Sequence, residues 1–206
     1  AVLTSCNEWK DGAPEASEPW YCIAMAGMYA KQYQESQRGF EGYLQRVDYS
    51  EISPDILYSH SNVLVQLGKF DEALRAVDEI IKMNGSDPVP WAQRGWIMVT
   101  AQRYREAKFS CYRALDLNIE YAEAWHIIGA ANRGLGRYQL AIEAYRLAVD
   151  MPQENSNIRR SEYWFPLGEL YVITGQRDKA EGVLEVLETM DAEWAEALRK
   201  LIAEMR

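Results

Sequence analysis

Few side chains of this 206-residue chain combine the type and the spacing that catalysis or metal binding requires. The two histidines, His60 and His126, belong to no H-E-x-x-H or other ligand spacing. The three cysteines, Cys6, Cys22 and Cys111, form no C-x-x-C pair, so they indicate neither a zinc site nor a disulfide framework. A nucleophile, a base and a group to orient them cannot be assembled from these residues. The sequence therefore predicts a protein that is not an enzyme, with no catalytic residue, no metal and no cofactor.

A glycine-rich segment, Gly134-Leu135-Gly136, has the composition of a phosphate-binding loop but not its context. No strand pattern precedes it, and no lysine or serine follows at the distance that a nucleotide-binding loop requires. Glycines at this spacing are instead typical of a tight turn between two helices. The segment therefore predicts a turn and not a nucleotide site.

Composition and charge narrow the classes of partner. Lys and Arg number 22 against 31 Asp and Glu, which gives a formal net charge of −9 and disfavours nucleic acid as the partner. Apolar residues make up 48% of the chain, which is enough for a folded core. No stretch approaches the ~18 uninterrupted apolar residues of a membrane span.

The cysteines leave two locations open. So few cysteines favour a reduced intracellular compartment, and the cytoplasm is the expected location. The segment Leu3-Thr4-Ser5-Cys6, however, resembles the lipobox that precedes the acylated cysteine of bacterial lipoproteins. An envelope-associated lipoprotein anchored through Cys6 is the alternative.

A 34-residue period organises most of the chain. Trp91 and Trp125 are 34 residues apart, and the same step back from Trp91 reaches Leu57. Trp20 and Trp164 begin a first and a fifth unit in the same way. When all these residues mark the fourth place of a 34-residue unit, the eighth and twentieth places are small in every unit. The small residues are Ala24, Ser61, Gly95, Gly129 and Gly168 at the eighth place, and Ser36, Ala73, Ala107, Ala141 and Ala180 at the twentieth. Small residues at these places let two helices approach closely.

This pattern resembles the tetratricopeptide repeat (TPR) family, in which W-x2-L-G-x2-Y, then A-x3-F, then P recur in pairs of antiparallel helices, A and B. Gly68, Gly136 and Gly175 fall at the turn between helices A and B, where glycine supplies a positive φ. The resemblance implies an all-α fold, a right-handed α-solenoid of five TPR-like helical hairpins plus a C-terminal capping helix.

The repeat sets the expected boundaries. Residues 1–16 match nothing in the pattern and form an N-terminal extension, and 192–206 form the capping helix. The five hairpins cover 17–50, 54–87, 88–121, 122–155 and 161–191. The last spacing is five residues too long, and the polar run from Pro152 to Asn157 is expected to absorb the excess.

Two polar residues replace the apolar residue usual at the seventh place. These are His60 in the second hairpin and Arg94 in the third. Because a buried charge needs a partner, we expect Arg94 to pair with a carboxylate such as Glu120 or Asp55, and His60 to be a hydrogen-bonded structural histidine. A pocket for the carboxylate of a ligand is the alternative.

The resemblance also implies which residues face the inner groove. In this family the second, fifth, sixth, ninth, twelfth and thirteenth places of helix A line the concave wall. The groove residues expected to bind a partner are Met25, Met28, Tyr29, Tyr58, Asn62, Val65, Trp96, Val99, His126, Ile127, Arg133, Phe165 and Glu169. A groove that is mainly apolar and aromatic is typical of a partner site. The alternative is that curvature or residues 1–16 bury these side chains.

The leading functional hypothesis is a non-enzymatic protein–protein interaction module that holds an apolar or amphipathic segment of a partner, as an adaptor or chaperone. Similar grooves occur in the bacterial TPR chaperones of type III secretion and in TPR lipoproteins of envelope assembly. The family's carboxylate clamp for heat-shock protein tails is not expected, because only Asn62 matches its pattern and Glu123 stands where a cation is needed. A structural, self-assembling TPR scaffold, and hence a homo-oligomer, is the alternative.

Overall fold

The computed structural model describes residues 2–151 and 160–205, and within them it contains helices and no strand. A 3₁₀ turn spans Tyr49–Glu51. The α-helices are α1 (Val2–Gly12), α2 (Glu18–Tyr29), α3 (Tyr33–Leu44), α4 (Pro54–Gln66), α5 (Phe70–Met83), α6 (Pro88–Thr100), α7 (Tyr104–Leu117), α8 (Ala122–Gly134), α9 (Tyr138–Asp150), α10 (Arg160–Ile173), α11 (Arg177–Met190) and α12 (Ala192–Ala203). The predicted all-α class is confirmed. The polar run from Pro152 to Asn157 lies outside the described residues.

The helices belong to two compact units. Unit 1 is Ala1–Gly85 and holds α1 to α5, and unit 2 is Ser86–Arg206 and holds α6 to α12. In each unit, helices that are consecutive in the chain pair as hairpins: α2 with α3 and α4 with α5 in unit 1, and α6 with α7, α8 with α9 and α10 with α11 in unit 2. The first helix of each pair is called its A helix below, and the second its B helix.

The turn inside each hairpin requires a left-handed residue. Gly68, Gly136 and Gly175 have φ of 72°, 70° and 73°, as predicted from their spacing. In the first and third hairpins the equivalent residues are Lys31 and Gln102, with φ of 56° and 60°. A residue with a Cβ is strained in this region, so glycine is the less costly choice for the same turn.

Small residues set the close spacing of each hairpin. Ala24 on α2 and Ser36 on α3 are both fully buried, and the Ser36 hydroxyl donates a hydrogen bond to the Ala24 carbonyl at 2.6 Å. A Cβ on Gly39 would overlap the backbone of Ala24, which explains the glycine there. In this hairpin, the residues at the eighth and twentieth places are therefore small because the two helix backbones approach closely.

In unit 2 the helices form two layers. Helix α6 packs beside α8, and α10 packs beside α12, while α7 lies against α8 and α9 lies against α10. The largest buried cluster includes Tyr145 on α9, Tyr163 and Leu167 on α10, and Leu198 on α12. The apolar core of the unit thus lies between the A-helix layer and the B-helix layer.

Helix α12 follows the last hairpin without a loop. The Asp191 carboxylate accepts hydrogen bonds from the amides of Glu193 and Trp194, at 3.1 and 3.3 Å, and so caps the helix. Ala195, Leu198 and Ile202 are buried, each at most 6% exposed. The helix thus covers the apolar side of the last hairpin, which is what a capping helix does.

Residues at the N-terminus form a helix that is bonded covalently to the first hairpin. Cys6 on α1 and Cys22 on α2 form a disulfide with a Cα–Cα distance of 5.6 Å, and Cys6 is 1% exposed. The expectation that the cysteines indicate no disulfide was wrong, because α1 packs against α2 and so brings two distant cysteines together without any local motif.

The two polar residues at the seventh place have different surroundings. The Arg94 guanidinium donates to the Ser110 hydroxyl at 2.9 Å. His60 packs its ring on Phe40, with 5.4 Å between ring centroids. Its Nε2 is buried without a hydrogen-bond partner in the described part of the chain, so the expectation of a hydrogen-bonded histidine was wrong for this atom. Burial lowers the pKa of His60.

Candidate partner-binding surfaces

The predicted groove residues of unit 1 lie on the A helices α2 and α4. Met25 and Met28 are half-buried and pack against the cluster around Phe40 and Val63. Tyr29 is 78% exposed at the end of α2. On α4, Tyr58 is half-buried, Asn62 is exposed and Val65 is buried. The surface of unit 1 that a partner can reach therefore includes the tyrosines and Asn62 but not Val65.

The predicted residues at the centre of the groove belong to unit 2. Trp96 and Val99 on α6 are half-buried and pack against the same cluster as Ile127 on α8. Ile127 is only 3% exposed, because it is one of the core members of that cluster. Trp96 and Val99 therefore present the accessible apolar surface, and Ile127 supports it from below.

An ion pair joins α8 to α10. The Arg133 guanidinium donates to the Glu169 carboxylate at 2.8 Å, and the two side chains are 39% and 22% exposed. Both were predicted from the sequence as groove residues, and the structure brings them together across two consecutive A helices. In this pair the charge of Arg133 is already balanced, so a partner carboxylate would have to compete with Glu169 for it.

Phe165 on α10 meets a residue that the groove prediction left out. The centroid of its ring lies 4.3 Å from the ring centroid of Trp194 on α12, and the angle between the two ring planes is 42°. Both residues are half-buried at the edge of the large core cluster. Trp194 lies on the predicted capping helix, but its place there indicates no particular contact.

His126 is half-buried, with its ring packed between two tyrosines. Its ring is held edge-on between Tyr145 and Tyr163, with centroid distances of 5.3 and 5.1 Å. The Nδ1 atom is buried and has no hydrogen-bond partner among the described residues. Burial lowers the pKa of His126 to about 4, so the imidazole is neutral at pH 7. A neutral ring wedged between two tyrosines positions α8 against α9 and α10.

A carboxylate on the same helix is also withdrawn from water. The Tyr121 hydroxyl donates to the Glu123 carboxylate at 2.9 Å. Burial raises the pKa of Glu123, and the hydrogen bond from Tyr121 partly offsets this. The same burial and the nearby Glu123 charge raise the pKa of Tyr121. This pair starts α8 and offers no cation to a partner.

The remaining reactive groups have structural surroundings. Cys111 is a buried free thiol in the cluster that contains Ala92 and Ile127, which we call the α6–α8 cluster. Burial raises the pKa of the Cys111 thiol, so it is a poor nucleophile. Within residues 2–151 and 160–205, no group of three or more His, Cys, Asp or Glu side chains is arranged to hold a metal ion. The same part of the chain contains no helix with the length and hydropathy of a membrane span.

Comparison with known proteins agrees with this arrangement. Residues 122–155, which contain α8 and α9, match the sequence model of the tetratricopeptide repeat family. A TPR repeat-containing protein of Methanocaldococcus jannaschii is 24% identical over 149 residues, which cover 69% of this chain and 24% of that protein. The chain spans less than half the length of the curated relatives it matches.

Solved structures are similar in fold. A tetratricopeptide repeat protein from Parabacteroides merdae superposes with a TM-score of 0.73 at 15% identity, over 97% of this chain and 77% of that one. A thermophilic TPR protein from Thermus thermophilus superposes with a TM-score of 0.68 at 18% identity, over 91% of this chain and all of that one. Residues 122–155 thus match a tetratricopeptide repeat, and the chain has the fold of solved tetratricopeptide-repeat proteins.

Proposed function

We propose that the chain holds an apolar or amphipathic segment of a partner protein, as an adaptor or chaperone. The site is the A-helix face of unit 2, which we define as Trp96 and Val99 on α6, Arg133 on α8, and Phe165 and Glu169 on α10. The observation that carries the proposal is that Trp96, Val99 and Phe165 are only half-buried, on helices fixed by a packed core. Rigid aromatic anchors of this kind dominate the binding energy of many interfaces.

We place this activity in bacterial secretion or envelope assembly. The disulfide between Cys6 and Cys22 supports an oxidising compartment over the reduced cytoplasm expected from the cysteine count. A Cys6 sulfur that is bonded to Cys22 has no valence left for an acyl anchor. The disulfide form and a lipoprotein anchored through Cys6 are therefore distinct forms of the chain, and intact mass under non-reducing conditions distinguishes them.

The direct test is photocrosslinking from the A-helix face. Trp96 is replaced by the photoreactive p-benzoyl-phenylalanine, the protein is irradiated in native lysate, and the crosslinked peptides are identified by mass spectrometry. We expect apolar or amphipathic segments of a partner. The matched control places the same residue at Tyr112, which is 47% exposed on the B helix α7 and should give none of these products.

Two results would contradict the proposal. Identical products from positions 96 and 112 would show that the A-helix face is not selective. Crosslinks from position 96 only to a second copy of this chain would instead support the self-assembling scaffold, which light scattering would then show as a concentration-dependent mass.

A pair of tryptophan substitutions separates binding from packing. Trp91 and Trp96 both pack against the α6–α8 cluster, and Trp91 fills the fourth place that the repeat pattern demands. We expect Trp96→Ala to weaken capture of the crosslinked partner by about thirtyfold, the equivalent of ~2 kcal/mol, with a smaller loss of melting temperature than Trp91→Ala. A large melting loss for Trp96→Ala with intact capture would assign Trp96 to the core.

A further inference from the structure

Unit 2 contains a second concave site, between α9, α10 and α11. The cavity has a volume of about 450 Å³, within the ~300–1,000 Å³ typical of ligand pockets. Helix α10 lines it with Trp164, Leu167 and Tyr171. At 100° per residue these three side chains lie roughly opposite Phe165 and Glu169 on α10. The cavity is therefore separate from the A-helix face.

The lining combines aromatic surface with cations. Arg146 and Asp150 line the cavity from α9, and Lys179 lines it from α11. The Lys179 ammonium lies 5.5 Å from the centre of the Tyr171 ring, over its face. Two cations and one carboxylate leave an excess of positive charge, although the whole chain carries −9. This local positive charge favours an anionic ligand.

One position that lines the cavity carries no side chain in the fifth repeat. Gly182 lies at the twenty-second place of its repeat, and a Cβ built on it meets no atom within 4 Å. The other four repeats carry a longer side chain at that place. These residues are Arg38, Arg75, Phe109 and Glu143. The α11 side of the cavity thus lacks a side chain that every other repeat carries at this place.

The cation at the rim is also specific to the fifth repeat. Lys179 is at the nineteenth place, where the other repeats have no cation. Their residues are Glu35, Glu72, Glu106 and Leu140. Gly182 and Lys179 lie about one helical turn apart on α11, so both positions line the same cavity.

We propose that this cavity binds the C-terminal residue of a partner polypeptide, with its apolar side chain against Trp164 and Leu167 and its free carboxylate at Lys179 and Arg146. A terminal residue carries both groups on one Cα, so both can enter a single cavity. When an aspartate or glutamate is next to an apolar residue, the carboxylate and the apolar side chain belong to different residues. In an extended chain these two side chains point to opposite sides. The site adds a second contact to an interaction module and does not depend on the A-helix face.

The test uses small mimics and a local signal. N-acetyl-L-phenylalanine supplies an apolar side chain with a terminal carboxylate, and its amide lacks the charge. Binding is followed by the ¹⁵N–¹H resonances of the Trp164 indole, assigned with Trp164→Phe, and of the Gly182 amide. We expect saturable shifts with a dissociation constant on the order of 1 mM for the acid, which suits so small a ligand. The amide should bind about fivefold more weakly.

Matched variants assign the signal to the cavity. Gly182→Leu fills the open space and should abolish the shifts, whereas Gly182→Ala adds one methyl group and should retain them. Lys179→Met should reduce the affinity for the acid to that for the amide, and Lys200→Met, on exposed α12 surface, should change neither.

Three results would overturn the proposal. Equal affinity for the acid and the amide would show that the cations do not recognise the carboxylate. Unchanged shifts in Gly182→Leu would place the ligand elsewhere. Equal binding of N-acetyl-aspartyl-phenylalanine amide would assign the carboxylate to a neighbouring side chain and not to a chain terminus. None of these results bears on Trp96, so the proposed function is tested separately.

Discussion

His126 on α8 and Tyr163 on α10 pack edge to face, with 5.1 Å between their ring centroids. Desolvation of the imidazole at this site lowers the pKa of His126. The protein therefore relies on a neutral histidine to join two consecutive A helices.

This contact makes stability depend on pH. The pKa of His126 falls from 6.5 in the unfolded chain to about 4 in the folded protein. Between these values the unfolded chain binds a proton that the folded protein does not, so the free energy of unfolding decreases as the pH falls from 6.5 to about 4. The full effect is about 3 kcal/mol, and urea denaturation at a series of pH values measures it.

The control is His126→Phe, which keeps an aromatic ring and removes the proton site. We expect it to lose most of the pH dependence, while His60, whose pKa burial also lowers, contributes the remainder with the same sign. Burial of Glu123 raises its pKa and acts in the opposite direction, so Glu123→Gln should steepen the loss. An unchanged slope in His126→Phe would show that His126 is hydrated.

The disulfide predicts a specific count of thiols. Native protein should expose none to a thiol reagent, because Cys6 and Cys22 are bonded and Cys111 is buried. Denaturation without reductant should release one thiol, and denaturation with reductant should release three. Three thiols without reductant would mean that the bond does not form under the conditions of purification.

Loss of the disulfide should also lower stability. Cys6 and Cys22 are 16 residues apart, and closing a loop of ~15 residues is worth about 3 kcal/mol in the unfolded chain. We expect Cys22→Ser to lower the melting temperature of the oxidised protein, whereas reductant should lower that of the wild type and leave that of Cys22→Ser unchanged. A reductant effect that persists in the variant would implicate another group.

Deletion of α12 should expose the last hairpin. Leu198 on α12 is fully buried in the large core cluster and approaches Gly168 on α10 closely. Leu198→Ala should cost about 3 kcal/mol and deletion of 192–206 more, seen as a lower melting temperature and aggregation. Leu201→Ala is the control, since Leu201 is only half-buried and should cost about 1 kcal/mol. A truncated protein that melts like the full chain would contradict the capping role.

Two glycines should respond in opposite ways to alanine. Gly136 has φ of 70°, so Gly136→Ala forces a Cβ into the left-handed region and should cost about 1 kcal/mol. Gly182 lies inside α11 with open space around its Cβ position, so Gly182→Ala should add about 0.5–1 kcal/mol through helix propensity. Chemical denaturation of both variants measures the two signs, and a stabilising Gly136→Ala would contradict the turn geometry.

The hairpins follow from the sequence because their constraints are local and repeat. The left-handed glycines at 68, 136 and 175 and the small residues at the eighth and twentieth places each report one contact that recurs every 34 residues. The disulfide has no such signal. Cys6 lies outside the repeat, and its approach to Cys22 depends on the packing of α1 against α2. No residue spacing in the sequence indicates that packing.

The candidate sites were predicted only in part. Arg133 and Glu169 were both expected in the groove, but their places in the 34-residue repeat do not indicate how far apart the two side chains lie. His126 was expected there too, although Tyr145 and Tyr163 enclose it. The cavity beside Gly182 had a signal in the sequence, an unusually small residue at the twenty-second place, which only a comparison of that place across all repeats reveals.

Asp191 forms hydrogen bonds with residues of three helices. Its amide donates to the Leu187 carbonyl at the end of α11, its carboxylate caps α12, and the Ser161 hydroxyl on α10 donates to it at 3.3 Å. A helix at one end of a chain normally frays first, but α12 cannot open at its start without also disturbing the contacts of Asp191 with both helices of the last hairpin. Slow amide exchange should therefore extend into α12, and α10 to α12 should open as a single cooperative unit.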